Sequence, residues 1–425
     1  MTHRILLLGT TTGYQTRSFG EAAARLGVEL LFATDRCHVL EDPWRDNAVP
    51  VKFYAEDESV KAILEAATAR PIDGILAVGD RPTVVAALAA CALGLPGNSV
   101  EAARASSNKL LARERLQTAG LPCPWFRSLT LESWPTGRLP ELAFPCVVKP
   151  LALSASRGVM RVNDLGEFQT AVDRLRALLS QLDVQALRDP ANASVIVEQF
   201  INGQEYALEG ILERGQLRVL ALFDKPDPLE GPFFEETIYV TPSVLPPAAQ
   251  DAIIQAVAEA VAALGLWHGP VHAECRVNDG RVFILEIAAR PIGGLCARAV
   301  RFGDEGANLS SLEEILLRHA RDESISDYRR EACASAVMMM PIPREGFYKR
   351  VEGLDQAQAV PGIEEILVTA KPDQHLVPLP EGASYLGFMF ARTELPATAV
   401  AALRAAHARL RVVIDTAIPV TITGE

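Results

Sequence analysis

Short apolar runs alternate with amphipathic stretches over the first hundred residues of the chain. The apolar runs are Ile5–Leu8, Val28–Ala33 and Ile72–Val78. The stretches with apolar residues at helical spacing are Ser18–Leu26, Ser59–Ala69 and Pro82–Leu93. Short apolar runs indicate strands and the 3.6-residue spacing indicates helices, so strand and helix are predicted in alternation. Such alternation is typical of a parallel sheet with helices on its faces.

The loop after the first predicted strand has the sequence Gly9-Thr10-Thr11-Thr12-Gly13, and Asp35 follows the second strand. Ligands of parallel sheets gather at the carboxyl ends of the strands, so a dinucleotide site is one hypothesis for this loop. The glycine spacing is G-x-x-x-G, however, and it differs from the G-x-G-x-x-G of dinucleotide sites. We therefore favour a loop that helps to shape a substrate pocket.

Beyond residue 105 the pattern becomes mixed. A helix is predicted from Ser106 to Ala119, since Gly120 and Pro122 stop it. A strand-rich segment (about 125–205) and a mixed segment (about 205–320) follow. The tail has predicted strands at Ala334–Met340, Ile363–Thr369, Tyr385–Ala391 and Val412–Ile414, and a helix at Ala397–Leu410. We predict a Rossmann-like parallel α/β domain at 1–105, a central domain at 106–320 and an α+β domain at 321–425.

Composition narrows the classes of protein that the chain can belong to. Its 425 residues include 41 Lys and Arg against 53 Asp and Glu, a net charge of −12. That balance argues against a nucleic-acid-coating protein, whose affinity comes from cations that neutralise phosphates. No apolar run has the length of a membrane helix or a signal peptide, and the seven cysteines are scattered without a C-x-x-C pair. We therefore expect a cytoplasmic protein with no nucleic-acid or membrane partner.

Two lysines lie at positions where a bound anion would explain the presence of a positive charge. Lys109 lies in the first turn of its predicted helix, where the helix dipole disfavours a cation. Lys149 ends an apolar strand and is followed by the small-residue loop Ser154-Ala155-Ser156-Arg157-Gly158. Backbone N–H groups and hydroxyls of such a loop can cradle phosphate oxygens beside the lysine. An exposed lysine and a plain hairpin loop are the alternatives.

A third feature is the apolar run Val195–Val197, which ends in Glu198 and leads through Gln199 and Ile201 to Glu205. Acceptors and an N–H in this connection could meet a purine edge, and the second carboxylate could meet a ribose. A strand that carries charges at a sheet edge would show a similar pattern.

The fourth feature is a hairpin from His272 to Arg290, with Asp-Gly in its turn. A two-residue loop would place Glu274 and Glu286 on opposite faces, whereas a three-residue loop, 278–280, would place both on one face. The apolar pattern favours the three-residue loop, with Phe283 and Leu285 on the apolar face. Two carboxylates on one wet face suit Mg²⁺ that bridges nucleotide phosphates.

Other interpretations of this hairpin are weaker. The two glutamates could form salt bridges to Arg276 and Arg290 instead of holding a metal ion. His268 and His272 have helical spacing, but the intervening Gly-Pro breaks any helix, so a zinc site is not expected there.

Taken in order, these features resemble the ATP-grasp superfamily, most clearly over about 100–320. Three stretches are similar to the L-amino-acid ligases, which join two amino acids, and to carnosine-synthase-type enzymes: the sequence from Phe234 to Ser243, the His272-x-Glu274 pair, and the sequence from Glu286 to Gly294. The resemblance implies an ATP-grasp fold with a lid at about 127–200, between the Rossmann-like and the α+β domains. It also implies a homodimer.

The resemblance further implies roles for particular residues. The nucleotide site would comprise Lys109, Lys149, Ser154, Ser156, Arg157, Gly158, Glu198, Gln199, Ile201 and Glu205. Glu274 and Glu286 would hold Mg²⁺ or Mn²⁺, and Arg290 and Lys149 would act in catalysis. Substrate contacts would come from Glu235, His272, Arg276, Gly293 and Gly294. Ala288 stands where many relatives have an asparagine ligand, which favours the amino-acid-ligase branch over biotin carboxylase.

The activity implied is ATP-dependent joining of a carboxylate to an amine, with ADP formed through an acyl phosphate. The substrates would be small molecules, in particular two amino acids. Another activity of the superfamily, that of a purine-pathway ligase or a biotin-carboxylase-like enzyme, is the alternative.

Overall fold

A computed structural model describes residues 3–10, 15–35, 48–133, 142–303 and 309–416 of the chain. Most of the predicted Gly9–Gly13 loop (residues 11–13) lies outside these ranges.

The first hundred residues form a parallel sheet covered by helices. Its strands are β1 (Arg4–Gly9), β2 (Glu29–Thr34), β3 (Val49–Pro50) and β4 (Gly74–Val78), in the spatial order β3-β2-β1-β4. Every pairing is parallel. The helices are α1 (Thr16–Leu26), α2 (Glu56–Ala69) and α3 (Thr83–Leu93). The predicted alternation of strand and helix is confirmed.

The helix predicted from Ser106 to Ala119 is confirmed over Lys109–Thr118, but its predicted start is wrong, because the chain makes two helices that meet at Asn108. These are α4 (Val100–Ser107) and α5 (Lys109–Thr118). Asn108 has extended backbone, and its side chain accepts hydrogen bonds from the N–H groups of Leu110 and Leu111. Asparagine is a strong helix N-cap, so it starts a new helix with Lys109 as the first residue.

A small antiparallel sheet packed against a helix follows. Its elements in chain order are β5 (Phe126–Thr130), β6 (Cys146–Pro150), β7 (Met160–Val162), α6 (Leu165–Leu179), α7 (Leu182–Gln185) and β8 (Ser194–Gln199). The strand order is β5-β8-β6-β7. Apolar residues of α6 and of the sheet share one core, which includes Phe168 and Val197. The helix α6 was not predicted within this strand-rich segment.

The remaining elements build the centre and the tail. In chain order they are β9 (Gln204–Glu213), β10 (Gln216–Asp224), β11 (Ile238–Thr241), α8 (Pro247–Leu264), β12 (Gly269–Asn278), β13 (Arg281–Ala288), β14 (Arg301–Phe302), β15 (Ser310–Ser311), α9 (Leu312–Ala320), β16 (Ala334–Met340), β17 (Gly346–Glu352), α10 (Leu354–Gln358), β18 (Ile363–Val368), β19 (His375–Leu376), β20 (Gly387–Thr393), α11 (Pro396–His407) and β21 (Arg411–Asp415).

One large sheet joins the centre to the tail. Among the described residues it has eight strands in the order β13-β12-β9-β10-β11-β16-β20-β18, and every neighbouring pair is antiparallel. Main-chain pairing between β11 and β16 therefore crosses the predicted domain boundary at residue 320. The boundary remains a prediction, but the two parts share a sheet.

The two faces of this sheet bury different partners. On one side, Ile253 and Val257 of α8 pack with strand residues such as Leu208. On the other side lies the parallel sheet with its helices formed by the first hundred residues, called the first unit below. Its residue Phe19 shares a core with Phe223 and Phe388 of the large sheet. The first unit is thus fixed against the large sheet by apolar burial. No helix in the described ranges has the combination of length and apolar character that crossing a membrane requires.

Candidate active site

The β12–β13 hairpin presents two carboxylates, but its turn differs from the predicted one. Asn278 pairs with Arg281, so the loop has two residues, Asp279 and Gly280, both with positive φ (49° and 75°). Aspartate and glycine tolerate that conformation, which matches the twist of a tight hairpin. The predicted three-residue loop is wrong.

A β-bulge at Leu285 then shifts the pairing register of β12 and β13 by one residue. Cys275 lies opposite Ile284, but the next pair is Glu274 with Glu286. The extra residue places both carboxylates on one face of the hairpin, as an inserted residue does in a bulge. The predicted apolar face is wrong in detail, since Val282 and Ile284 join the core in place of Phe283 and Leu285.

Two adjoining cavities open beside this hairpin. The first lies between the small sheet and the large sheet, and its lining residues are Lys109, Val147, Lys149, Leu153, Ser154, Ala155, Ser156, Val159, Glu198, Gln199, Phe200, Ile201, Glu205, Leu229, Phe234, Glu236, Glu274, Arg276, Leu285 and Glu286. It encloses about 740 Å³ including its mouth. That volume lies within the range of small-molecule sites, about 300–1,000 Å³.

The cations of the first cavity are held by neighbouring groups. Lys109 Nζ donates to the Leu153 carbonyl at 2.8 Å and lies 3.9 Å from Glu286 Oε1. The Lys149 ammonium pairs with Glu198, which also receives Arg113 Nε at 2.8 Å. Burial opposes the charge on Glu198, but Arg113 and Lys149 outweigh it and lower the pKa of this carboxyl to about 2. Glu198 is therefore an ionised carboxylate that holds two cations beside the cavity.

Glu205 and Arg276 both line the first cavity and form a salt bridge with each other. Arg276 Nε donates to Glu205 Oε2 at 3.0 Å, and Arg276 Nη1 donates to the Ile201 carbonyl at 2.7 Å. The same carboxylate receives Lys225 Nζ on Oε1 at 2.6 Å. Arg276 thus lines the first cavity, together with the residues predicted for the nucleotide, although it was predicted as a substrate contact.

The residues of the Ser154–Gly158 loop face two different parts of the protein. Ser154, Ala155 and Ser156 line both cavities, and Ala155 and Ser156 have left-handed φ of 56° and 54°. The Arg157 side chain donates instead to the Glu381 carbonyl at 2.8 Å, and the Gly158 N–H donates to the Pro380 carbonyl at 2.7 Å. The loop therefore faces the cavities with its serines and the tail with Arg157 and Gly158.

A buried lysine joins three carboxylates between the cavities. Lys225 Nζ lies 2.6 Å from Glu205, 2.8 Å from Glu236 and 3.0 Å from Glu274. Burial lowers the pKa of Lys225, but these carboxylates outweigh it and raise that pKa well above its usual value. Burial and the charge of Glu274 raise the pKa of Glu236 to about 7, although Lys225 opposes the shift. Oxygens of the three carboxylates lie within 4.8 Å of one another, close enough to share one metal ion.

The second cavity lies between the large sheet and the first parallel unit. Its lining residues are Thr10, Gln15, Val78, Gly79, Asp80, Ser154, Ala155, Ser156, Glu236, Tyr239, His272, Glu274, Glu286, Arg290, Pro291, Ile292, Gly293, Gly294, Cys296, Met339 and Tyr385. It shares six of these residues with the first cavity: Ser154, Ala155, Ser156, Glu236, Glu274 and Glu286. The two cavities therefore adjoin along these residues.

Arg290 lines the second cavity and is paired with Asp80. Its Nε and Nη2 atoms donate to the two oxygens of Asp80, at 2.9 and 3.3 Å. Burial raises the pKa of Asp80, but Arg290 outweighs it and lowers that pKa below its usual value. Asp80 follows β4 and Arg290 follows β13, so this ion pair joins the first unit to the large sheet.

His272 is held by two carboxylates. Its Nδ1 atom lies 3.1 Å from Glu209, which is fully buried, and its Nε2 atom lies 3.6 Å from Glu274. The Ile292 N–H donates to Glu209 as well, at 3.1 Å. Burial lowers the pKa of His272, but the two carboxylates outweigh it and raise that pKa to about 9.

Two of the remaining predicted residues lie on the second cavity. Gly293 and Gly294 both line it. Gly294 has a φ of 59°, and a Cβ there would lie 2.9 Å from the Phe388 ring, so glycine is required at this position. Glu235 is not among the residues that line either of these two cavities, whereas its neighbour Glu236 lines both.

Several residues of the site escaped the sequence analysis: Asp80, Arg113, Glu209 and Lys225. Two signals could have found some of them. Asp80 follows a parallel strand at its carboxyl end, where ligands gather. Glu209 and Lys225 interrupt or end apolar strands, and a charge in such a place needs a buried partner.

A large antiparallel sheet and a smaller sheet that grip a cavity between them, with lysines and glutamates on its wall, define an ATP-grasp protein. A family model described as an ATP-grasp domain matches residues 142–299, and one described as an ATP-grasp N-terminal domain matches residues 20–97. A third, the L-amino acid ligase C-terminal domain 2, matches residues 338–415. The chain belongs to the ATP-grasp superfamily and carries an L-amino acid ligase C-terminal domain, which confirms the resemblance stated above.

Individual relatives agree with this assignment. The structure of an L-amino acid ligase from Bacillus licheniformis superposes with a TM-score of 0.81 at 25% identity, over 97% of this chain and 99% of that one. The alanine–anticapsin ligase of Bacillus subtilis (strain 168) is 29% identical over 56% of this chain and 52% of its own length. Dapdiamide A synthase of Enterobacter agglomerans is 25% identical over 70% of this chain and 72% of its own length. The chain spans 52–59% of the length of the first curated relatives that it matches.

Proposed function

We propose that the protein is an ATP-dependent carboxylate–amine ligase that joins two amino acids and forms ADP through an acyl phosphate. The observation that carries this proposal is the pair of adjoining cavities, which share Glu236, Glu274, Glu286 and the Ser154–Ser156 loop. A nucleotide in the first cavity would direct its terminal phosphate at this shared wall. A carboxylate in the second cavity would then meet that phosphate.

The residues of the first cavity are proposed to bind ATP. Lys109, Lys149 and the serines of the loop would contact the phosphates, because cations and hydroxyls offset phosphate charge. The 198–201 segment would meet the adenine, and Glu205 the ribose. Lys225, which was not predicted, would act indirectly, since its ammonium holds Glu205, Glu236 and Glu274, which line the first cavity.

Glu274 and Glu286 are proposed to hold a divalent cation such as Mg²⁺ or Mn²⁺. They lie opposite each other on the hairpin, and carboxylate oxygens are the ligands these ions prefer. Lys225, Tyr239 and His272 all contact Glu274 through Oε1, so a cation could use Oε2 without breaking those contacts. When bound, the ion would offset charge on the phosphates of the nucleotide.

Arg290 is proposed to orient the reacting carboxylate. An oxygen of that carboxylate attacks the γ-phosphorus of ATP, the bond to ADP breaks, and an acyl phosphate forms. The amine of the second substrate then attacks the acyl carbon, loses a proton, and displaces phosphate. Arg290 would stabilise the negative charge that develops on the acyl oxygen, as fixed donors do in acyl transfer.

Two features of the chain would keep water from the acyl phosphate. The Ser154–Ser156 loop lines both cavities, and the adjoining Arg157 and Gly158 are held against the tail at 380–381. A closed loop protects a reactive intermediate from hydrolysis. The Glu209–His272 pair would hold the wall of the second cavity in place.

The test is phosphate release from ATP with pairs of amino acids, with products identified by mass spectrometry. We expect release that depends on two amino acids together and a product whose mass is their sum less one water. Release that is unchanged by any amino-acid pair, or that depends on bicarbonate instead, would contradict the proposal. The predicted homodimer is tested separately, by light scattering of the purified protein.

A further inference from the structure

The second cavity is lined by two chemically different sets of side chains. One set is ionisable: Asp80, Glu236, His272, Glu274, Glu286 and Arg290. The other set, called the apolar wall below, is apolar or weakly polar: Tyr239, Ile292, Cys296, Met339 and Tyr385. A ligand that fills this cavity would therefore meet charged groups with one part and less polar side chains with another.

The apolar wall depends on the tail of the chain. Met339 belongs to β16, is only 3% exposed, and packs in the core that joins the first unit to the large sheet. Tyr385 precedes β20, and its ring lies 6.1 Å from that of Phe388. The tail therefore supplies part of the second cavity as well as strands for the sheet.

The ionisable groups near this wall already have partners. Asp80 pairs with Arg290, and Glu236 and Glu274 share Lys225. The Tyr239 hydroxyl donates to Glu274 at 3.1 Å, which leaves its ring as the surface toward the cavity. Burial and the charge of Glu236 raise the pKa of Tyr385 well above its usual value, so this residue is a neutral phenol. A charged ligand group directed at the apolar wall would lose its hydration, and the nearby carboxylates Glu236 and Glu274 are already paired with Lys225.

We propose that this wall receives the side chain of the carboxylate-donating amino acid, so that the enzyme activates amino acids with uncharged, apolar side chains. Met339 and Tyr385 set the upper limit on side-chain size. The inference rests on the proposed ligase function, because it assigns the donor to the cavity that holds Arg290. It adds the class of donor and the two residues of the tail that select it.

The first experiment measures donor preference in the unchanged protein. Alanine, valine, leucine, methionine, phenylalanine, aspartate and lysine are each offered with a common second amino acid. Fragmentation of the product identifies which one gave its carboxylate. We expect kcat/KM for the best apolar donor to exceed that for aspartate or lysine by at least about tenfold, since burying an unpaired charge is costly.

The second experiment uses a matched pair of variants. Met339→Ala enlarges the cavity, and we expect the ratio of kcat/KM for phenylalanine over alanine as donor to rise by about tenfold. Met338→Ala is the control, because Met338 is its neighbour on β16, is 5% exposed, and faces the other core. It should lower the melting temperature and leave the donor ratio unchanged. Tyr385→Ala should raise the ratio in the same direction as Met339→Ala.

The outcomes separate this inference from the proposed function. Ligation that prefers charged donors, or a donor ratio that moves equally in Met338→Ala and Met339→Ala, overturns the inference and leaves the ligase function standing. Absence of ligation with every amino-acid pair overturns the proposed function and the inference with it. If Met339→Ala does not fold, Tyr385→Ala and the donor panel of the unchanged protein still decide.

Discussion

The two cavities differ in where their side chains come from. In the first cavity, Glu198 and Lys149 lie on neighbouring strands of the small sheet, and Arg113 reaches them from α5. In the second, Asp80 comes from the first unit, Arg290 from the large sheet, and Met339 from the tail. The first cavity is therefore built within one span of the chain, from Lys109 to Glu286, by α5 and by residues of the small and the large sheet. The second exists only when three distant segments pack together.

The cavities also differ in what their charges do. The ion pairs around Glu198 are buried and bond one another, so they contribute to the fold of the small sheet as well as to ligand binding. The Asp80–Arg290 pair joins two units across the second cavity and orients a side chain proposed to act on substrate. Changes in the first cavity should thus affect stability and nucleotide affinity, whereas changes in the second should affect turnover.

The largest effect is expected at Arg290 in the second cavity. Arg290→Lys should lower kcat for ADP formation by about 10²–10³-fold, because a lysine cannot reproduce the two-pronged geometry of the guanidinium. The ADP dissociation constant, measured by calorimetry, should change little. Arg298→Lys is the control, since Arg298 pairs with the half-exposed Glu365 outside both cavities. Equal losses in both variants would contradict the assignment.

In the first cavity, Glu198→Gln should lower the free energy of unfolding by about 3 kcal/mol, because it leaves Arg113 and Lys149 buried without a carboxylate. The pKa of Glu198 is lowered to about 2 from an ordinary value of 4.5. Its stabilisation is therefore complete above pH 4.5 and is lost as the pH falls toward about 2.

Urea unfolding at pH 6 and pH 3 measures this effect. The unchanged protein should lose more stability between the two values than Glu198→Gln does. Glu365→Gln, at a partly exposed ion pair, serves as the control and should follow the unchanged protein. Parallel loss in Glu198→Gln and the unchanged protein would show that Glu198 does not carry the pH dependence.

A smaller effect is expected for Asp80→Asn. The amide keeps a hydrogen-bond acceptor for Arg290 but removes the charge that fixes it, so kcat should fall by about tenfold through misplacement of the guanidinium. The nucleotide dissociation constant should stay within about twofold, since Asp80 is not among the residues that line the first cavity. A larger loss of nucleotide affinity than of kcat would contradict the assignment of nucleotide binding to the first cavity and of turnover to the second.

The smallest effect is expected for Lys109→Met. The methionine keeps most of the side-chain volume and removes the ammonium that donates to Leu153. We expect the ADP dissociation constant to rise about fivefold, equivalent to roughly 1 kcal/mol. The melting temperature without nucleotide should change little, since Lys109 makes one hydrogen bond and one long ion pair there. Unchanged affinity would remove Lys109 from the phosphate site.

Sequence patterns predicted the first cavity better than the second. The elements of the parallel unit and the tail strands followed from apolar spacing, and Lys149 and Glu198 stood out because each ends an apolar run. The break at Asn108 was missed, although asparagine is a strong helix N-cap and its side chain accepts hydrogen bonds from Leu110 and Leu111. Glu274 and Glu286 were expected on one face for the wrong reason, because the bulge at Leu285 replaced the longer turn.

The chain alone determined which segments form strands and helices, where cations and carboxylates end those strands, and the resemblance to a superfamily. Hydrophobic periodicity and helix or strand propensity depend on residues that are close together in the sequence. Only the tertiary structure decided that Asp80 meets Arg290, that Lys225 joins three carboxylates, and that Met339 and Tyr385 close the second cavity. These contacts join residues far apart in sequence, and they form because burial of apolar faces brings three segments onto one sheet.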